Sequence, residues 1–180
     1  STTFRYESAE ALGDLFDLKT SGDFYTRLSN PTTGAVEAKI AALEGGVGAL
    51  LTSAGQAAVM LTVLNIARAG DHIVSASAVY GGTFNLFNRT LRELGIDVTF
   101  QPNTKLVFGE SLSNPSLHVL DFERFAQVAH AHGVPLVVDN TFPTPVNCRP
   151  FAFGADIVVH STSKYLDGHA AALGGVIVDS

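Results

Sequence analysis

Ala155-Asp156-Ile157-Val158-Val159-His160-Ser161-Thr162-Ser163-Lys164-Tyr165 is the stretch that decides how this chain is read. Residues 157–159 form an apolar run without alternation, the pattern of a strand buried on both faces of a sheet. At its end the run delivers small hydroxyl residues and then one lysine. Lysine and arginine together number only eleven in 180 residues. A lysine in this place reads two ways: as a side chain snorkelling from a strand end to water, or as a reactive amine at the mouth of a site.

The same pattern recurs outward from this stretch. Residues 135–138 read as a strand that ends in Asp139-Asn140, and residues 105–109 as a strand followed by a polar loop over 110–115. Further runs lie at 47–51, 72–76, 97–100 and 175–178. Between them, Val36, Ile40 and Leu43 recur at helical spacing over 34–44, with Gly45-Gly46 as a stop. Residues 57–67 read as a buried helix closed by Gly70. Residues 81–94 read as a helix with Phe84, Phe87, Leu91 and Leu94 along one side. Asp121 is the N-cap of a helix that runs to Ala131 and ends at Gly133. The alternation predicts an α/β fold, an open, mostly parallel sheet with helices on both faces, over residues 34–180. Residues 1–33 read as an irregular arm.

A content of 46% hydrophobic and 16% charged residues supports one core. The net charge of −6 and the absence of any basic stripe argue against a nucleic-acid partner. Thr52, Ser53, Gln56, Thr62 and Asn65 interrupt the longest apolar stretch, which argues against a membrane span. No signal-like segment opens the sequence. Cys148 stands alone, so no internal disulfide forms and a cytoplasmic location is expected. His130 and His132 fall on different faces of their helix, and no metal site is read there.

Open α/β sheets place ligands beyond the C-terminal ends of their strands, where the polar residues of this chain collect. Gly55 and Gln56 open a helix after a strand, which is either an ordinary turn or a phosphate cradle of free N–H groups, to which Ser161 and Ser163 add hydroxyl donors. Asp139 either caps the turn after its strand or faces a cation such as a protonated ring nitrogen. Tyr80 is a core aromatic or a ring stacked on a flat ligand. Asn114 before Pro115 forms a turn or donates to a phenolate oxygen. Tyr25 and Arg27 lie in the arm, where plain surface exposure is the simpler reading. With Lys164 for an aldehyde, the strand-end groups are complementary to pyridoxal phosphate. Two competing motifs fail on context. Ser161-Thr162-Ser163-Lys164 matches S-x-x-K of serine acyl-transfer enzymes, but follows a strand and has no K-T-G triplet beside it. Gly46-Val47-Gly48 precedes its strand and lacks the third glycine of a dinucleotide loop.

Quoted together, Ser53-Ala54-Gly55-Gln56-Ala57-Ala58, Val79-Tyr80-Gly81-Gly82-Thr83, Val138-Asp139-Asn140-Thr141 and the runs at 25–32, 42–46, 110–115 and 154–165 resemble the Cys/Met metabolism family of pyridoxal phosphate enzymes, of fold type I. The resemblance implies that Lys164 holds the cofactor aldehyde, that Asp139 pairs with the pyridine nitrogen, and that Tyr80 stacks on the ring. It places Asn114 at the phenolic oxygen. Gly55, Gln56, Ser161 and Ser163 would hold the phosphate, with Tyr25 and Arg27 reaching in from a neighbouring subunit of a dimer that pairs into a tetramer. Gln56 and the run at 80–87 lean toward the sulfhydrylase branch. The activity implied is replacement of acetate at Cγ of O-acetylhomoserine by sulfide or a small thiol, with Lys164, Tyr80 and Asp139 catalytic. Lyase or cystathionine synthase chemistry of the same family is the alternative, and a cofactor-binding fragment without turnover is the second.

The chain departs from the family in two places. Phe100-Gln101-Pro102 joins two strands where the family has a connection of a dozen residues or more, which a crossover between parallel neighbours requires. The chain also lacks the C-terminal domain in which the family keeps the arginine for the substrate carboxylate, so no residue here is given that role.

Overall fold

In the computed structural model, which describes residues 1–99 and 101–180, the apolar runs become β1 (Gly48–Thr52), β2 (His72–Ser75), β3 (Asp97–Val98), β4 (Thr104–Glu110), β5 (Leu136–Asp139), β6 (Ile157–Ser161) and β7 (Gly175–Asp179). Among the described residues they form one sheet in the order β1-β7-β6-β5-β4-β2-β3. Neighbours from β6 to β3 pair in parallel, and β7 is antiparallel to both β6 and β1. The open, mostly parallel sheet is the one that the alternation predicts. Its helices are α1 (Ala9–Phe16), α2 (Pro31–Glu44), α3 (Gly55–Ile66), α4 (Gly81–Asn85), α5 (Leu91–Glu93), α6 (Phe122–Ala131) and α7 (Thr144–Asn147).

Both faces of the sheet are buried, which is why its strands read as continuous apolar runs. Along β4, Leu106 and Phe108 join one core cluster and Val107 the other; along β5, Val137 is set against Leu136 and Val138; along β6, Val159 against Val158. The first cluster packs under α3 and the helix from α4 to α5, through Ala58, Val59, Val63, Phe87 and Leu91. Phe87 meets Phe108 edge to face at 5.1 Å. The second cluster packs under α2 and α6, through Ile40, Ala41, Ala126 and Ala129. Each valine, leucine, isoleucine or phenylalanine among them contributes roughly 1.5–3 kcal/mol when fully buried. The two-residue period of a strand then sorts the strand ends. Glu110, Asp139 and Ser161 follow Phe108, Val137 and Val159 onto the α3 face, while Ser111, Asn140 and His160 fall on the α2 face.

Several expectations need correction. The arm is not wholly irregular: α1 forms there, capped by Ser8, whose side chain accepts from Ala11 N. It buries no residue, although Leu12, Leu15 and Phe16 recur at helical spacing along it. Helix α2 begins at Pro31, three residues earlier than expected, because Asn30 accepts from the N–H groups of Thr32 and Thr33 and Pro31 occupies the first turn. Its buried face is Ile40, Ala41 and Glu44, whereas Val36 and Leu43 are exposed. Between α4 and α5 the helix passes through a π turn, Leu86–Thr90. The wider turn shifts the face, so Leu86, Phe87 and Leu91 are buried while Phe84 and Leu94 are exposed. β3 is only two residues long, and the rest of the strand expected at 97–100 either lies outside it or, at Phe100, outside the described residues.

The short join after β3 also has a geometric account. β3 and β4 are not neighbours; β2 lies between them, and His72 pairs with both Asp97 and Thr104. The start of β4 therefore lies beside the start of β2 on the side away from β3, about two strand spacings or ~10 Å from β3. Five residues can span that distance at about 3.3 Å each.

Candidate functional site

Helix α3 starts against the end of β6. Ala54 takes the N-cap position with no side-chain hydrogen bond, and the first helical bond is donated by Ala58 N to Ala54 O at 3.0 Å. The N–H groups of residues 55–57 thus have no acceptor within the helix, and they carry its positive dipole end. A Cβ on Gly55 would stand 2.6 Å from Ser161 Cβ and 2.8 Å from Ser161 Cα. Only glycine lets the helix start abut the strand end so closely. Gln56 Nε2 donates to Thr83 Oγ1 at 3.1 Å, tying α3 to α4.

Asp139 ends β5 on the same face. Thr141 donates to Asp139 Oδ1 twice, from N at 3.0 Å and from Oγ1 at 2.5 Å, and Thr141 Oγ1 accepts from Ser161 N at 2.9 Å. Asp139 therefore does cap its turn, with both bonds on one oxygen. Burial pushes its carboxyl upward; the Thr141 bonds and the nearby His160 ring oppose that shift. The carboxylate is thus costly to keep charged unless Oδ2 meets a cation.

Tyr80 precedes α4, and its half-exposed ring lies against Gly82, where a Cβ would stand 2.5 Å from Tyr80 Cε1. Asn114 sits in the loop after β4. Glu110, the last residue of β4, joins the two: Oε1 accepts from Tyr80 N at 2.6 Å and Oε2 from Asn114 N at 3.2 Å. Lys164 is held through its main chain, with N donating to Ser161 O at 3.2 Å and O accepting from Gly168 N at 2.9 Å, and its side chain is exposed.

These residues line one cavity of about 590 Å³. Gly55, Gln56, Tyr80, Asn114, Asp139, Ser161, Ser163 and Lys164, all anticipated from the sequence, are in its wall. The uncapped helix start suits a phosphate, the buried carboxylate suits a protonated pyridine nitrogen, and the amine suits an aldehyde, so the residues present fit pyridoxal phosphate. One detail differs from expectation. The Ser163 hydroxyl is engaged with Gly174, donating to its O at 3.2 Å and accepting from its N at 2.9 Å, so its proton already has an acceptor. Tyr25 and Arg27 do not line the cavity of their own chain; the Arg27 guanidinium lies 5.0 Å from the centre of the Tyr25 ring.

Glu110, Thr141 and Gly82 were not singled out in the sequence. Glu110 carried the signal that identified Asp139, a carboxylate closing an apolar strand. Burial, opposed by its two hydrogen bonds and reinforced by Asp139, pushes it up to about 7.

The chain matches the model of the Cys/Met metabolism PLP-dependent enzymes over residues 1–180. It is 48% identical to an O-acetyl-L-homoserine sulfhydrylase of Corynebacterium glutamicum, over 99% of this chain and 44% of that protein. Their alignment runs over 193 positions against 180 residues here, so at least 13 positions have no counterpart in this chain. A solved Campylobacter jejuni structure, assigned as an O-acetylhomoserine (thiol)-lyase and carrying N'-pyridoxyl-lysine-5'-monophosphate, superposes with a TM-score of 0.94 at 35% identity, covering 99% of this chain and 48% of that one. A cystathionine gamma-lyase of Lactobacillus plantarum, solved with L-serine, superposes with a TM-score of 0.90 at 35% identity, covering 100% and 48%. The chain thus spans about half the length of the relatives it matches.

Proposed function

We infer the function from one premise: the chain belongs to the Cys/Met metabolism PLP-dependent enzyme family. On that premise it forms the cofactor-binding part of an enzyme that replaces the acetate at Cγ of O-acetylhomoserine by sulfide or a small thiol, giving homocysteine or methionine. The observation that carries this reading is one cavity holding Lys164, the buried Asp139 and the uncapped start of α3.

Pyridoxal phosphate supplies an electron sink for the pair left when a proton departs from the substrate carbon bonded to its amine. The protein does the rest. The N–H groups at the start of α3, with Ser161 beside them, hold the phosphate. Asp139 Oδ2 holds the proton on the ring nitrogen. Tyr80, whose ring fits in the space that Gly82 leaves open, would stack on the cofactor, and Asn114 would serve its phenolic oxygen. Lys164 Nζ would anchor the aldehyde at rest and, once free, would take the proton from Cα and carry the protons that leave and return at Cβ and Cα, with Tyr80 assisting. Loss of a Cβ proton would let acetate leave Cγ, the thiol would add at Cγ, and protons would return to Cβ and then Cα to release the product.

The enzyme works as a dimer, paired into a tetramer, in which the arm of residues 1–33 of one subunit reaches the neighbour's cavity. This is supported by Tyr25 and Arg27, which stand away from their own cavity. The cytoplasmic location rests on the single unpaired cysteine; among the described residues no helix is long and apolar enough to cross a membrane.

The likeness to a cystathionine gamma-lyase across the whole chain favours one second reading, a γ-lyase with the same cofactor residues. Assays of the protein with O-acetylhomoserine plus sulfide, with cystathionine and with methionine separate the two. Sulfide-dependent homocysteine formation is expected; turnover of cystathionine or methionine alone would favour the lyase.

A further inference from the structure

Glu110 has no part in the chemistry above, yet it is the group that connects two of the cavity's walls. It is buried, 7% exposed, at the last position of β4. Its two oxygens accept from two main-chain N–H groups that belong to different segments: Tyr80 at the start of α4, thirty residues earlier, and Asn114 in the loop that follows β4. Burying a carboxylate costs free energy unless it is bonded or discharged. The bonds Glu110 makes are both to residues whose side chains face the cavity.

We infer that Glu110 is a positioning residue for the cofactor, one carboxylate that ties the Tyr80 and Asn114 main chains to the end of β4 and so sets the stacking ring and the amide at fixed places on the cavity wall. The inference rests on the pyridoxal phosphate reading. The carboxylate accepts both N–H groups fully only when ionised. Its register partner is Asp139, a like charge that opposes ionisation, and burial opposes it further. A protonated ring nitrogen at Asp139 offsets that repulsion. Ring binding and ionisation of Glu110 therefore favour each other, with Lys164 and the Tyr80 and Tyr165 hydroxyls as the other titratable groups on the same cavity and His160 behind Asp139 on the opposite face.

The test uses the protein freed of cofactor and titrated with pyridoxal phosphate, read by visible absorption and by the circular dichroism of the bound chromophore, in wild type, Glu110→Gln and Glu110→Ala, across pH. Glu110→Gln keeps the shape and one acceptor oxygen, so it guards against a variant that merely fails to fold. The expected result is an affinity weakened about tenfold or more in Glu110→Gln above neutral pH, shrinking toward the wild-type value as pH falls below about 6. An altered dichroism band at saturation, with the far-ultraviolet spectrum unchanged, is expected as well. Affinity and dichroism equal to wild type would overturn the inference. So would a loss that is the same at every pH and follows the thermal midpoint, since that is what a purely structural carboxylate gives. Wild-type protein that binds no pyridoxal phosphate at all would overturn the cofactor reading and this inference with it.

Discussion

Glu110 and Asp139 are register partners at the C-terminal ends of β4 and β5, and both line the same cavity. Two neighbouring carboxylates on one face of a buried sheet resist being charged together. Their placement suits a cation brought by a ligand, and it makes the stability of the cofactor-free chain depend on pH.

The sign of that dependence follows from the raised Glu110. In the folded chain it stays protonated up to about 7, against a usual value of 4.5. Over that window the folded chain binds the extra proton, so stability is greatest below the usual value and falls as pH rises through about 7, by on the order of 3 kcal/mol. Asp139, also raised, acts in the same direction. Denaturant midpoints of cofactor-free protein between about pH 5 and about pH 8 are expected to fall with pH in wild type and to fall less in Glu110→Gln.

Three glycines, Gly55 in the cavity wall and Gly81 and Gly82 next to Tyr80, separate space from chain flexibility. Gly55→Ala is expected to push α3 off Ser161 and weaken cofactor binding at least about tenfold. In Gly82→Ala the contact is with the exposed Tyr80 ring, which can move, so stability is expected to stay within about 0.5 kcal/mol while cofactor affinity falls. A Cβ at Gly81 meets nothing within 4 Å, and Gly81→Ala should leave both unchanged. Cofactor titrations beside thermal melts check all three.

On the far face of the sheet, Glu44 Oε1 meets His160 Nε2 at 2.5 Å and accepts from Asn140 Nδ2 at 3.1 Å. Both Glu44 and His160 are fully buried, and Asn140 Oδ1 accepts from Ser111 Oγ at 2.8 Å. Removing one member strands the others in the core. Glu44→Ala is expected to cost about 3–5 kcal/mol in equilibrium unfolding, far more than substitution of an exposed glutamate such as Glu93.

If Arg27 serves the neighbouring subunit's cavity, chains defective in different places should rescue one another. Mixed oligomers of Arg27→Ala and Lys164→Ala are expected to regain activity that neither variant has alone, because one cavity in each mixed dimer contains both native residues. No regain on mixing, with mixed oligomers verified, would assign Arg27 to its own chain.

Much of this was legible because the sheet is buried on both faces. Apolar runs such as residues 136–138 and 157–159 mark their own strands, and a polar residue that ends such a run stands out; Asp139 and Lys164 were found that way. Gly55 was legible from its place between a strand and a helix. What stayed hidden was set by packing rather than pattern. α1 repeats Leu12, Leu15 and Phe16 at helical spacing but over only two turns and without burying them, and the π turn at Leu86–Thr90 broke the spacing that made Phe84 and Leu94 look buried. Glu110 had the same local signal as Asp139, but its role depends on Tyr80 thirty residues away, and only the fold brings those together.

Lys164 is central, and one measurement addresses it most directly. The protein is incubated with pyridoxal phosphate, reduced with borohydride, digested, and the modified lysine located by mass spectrometry. The account predicts that the pyridoxyl group is on Lys164, and that it is lost together with the visible absorption band in Lys164→Ala. Modification spread over Lys19, Lys39 and Lys105 with Lys164 spared, or a Lys164→Ala protein that keeps its band and its turnover, would contradict it.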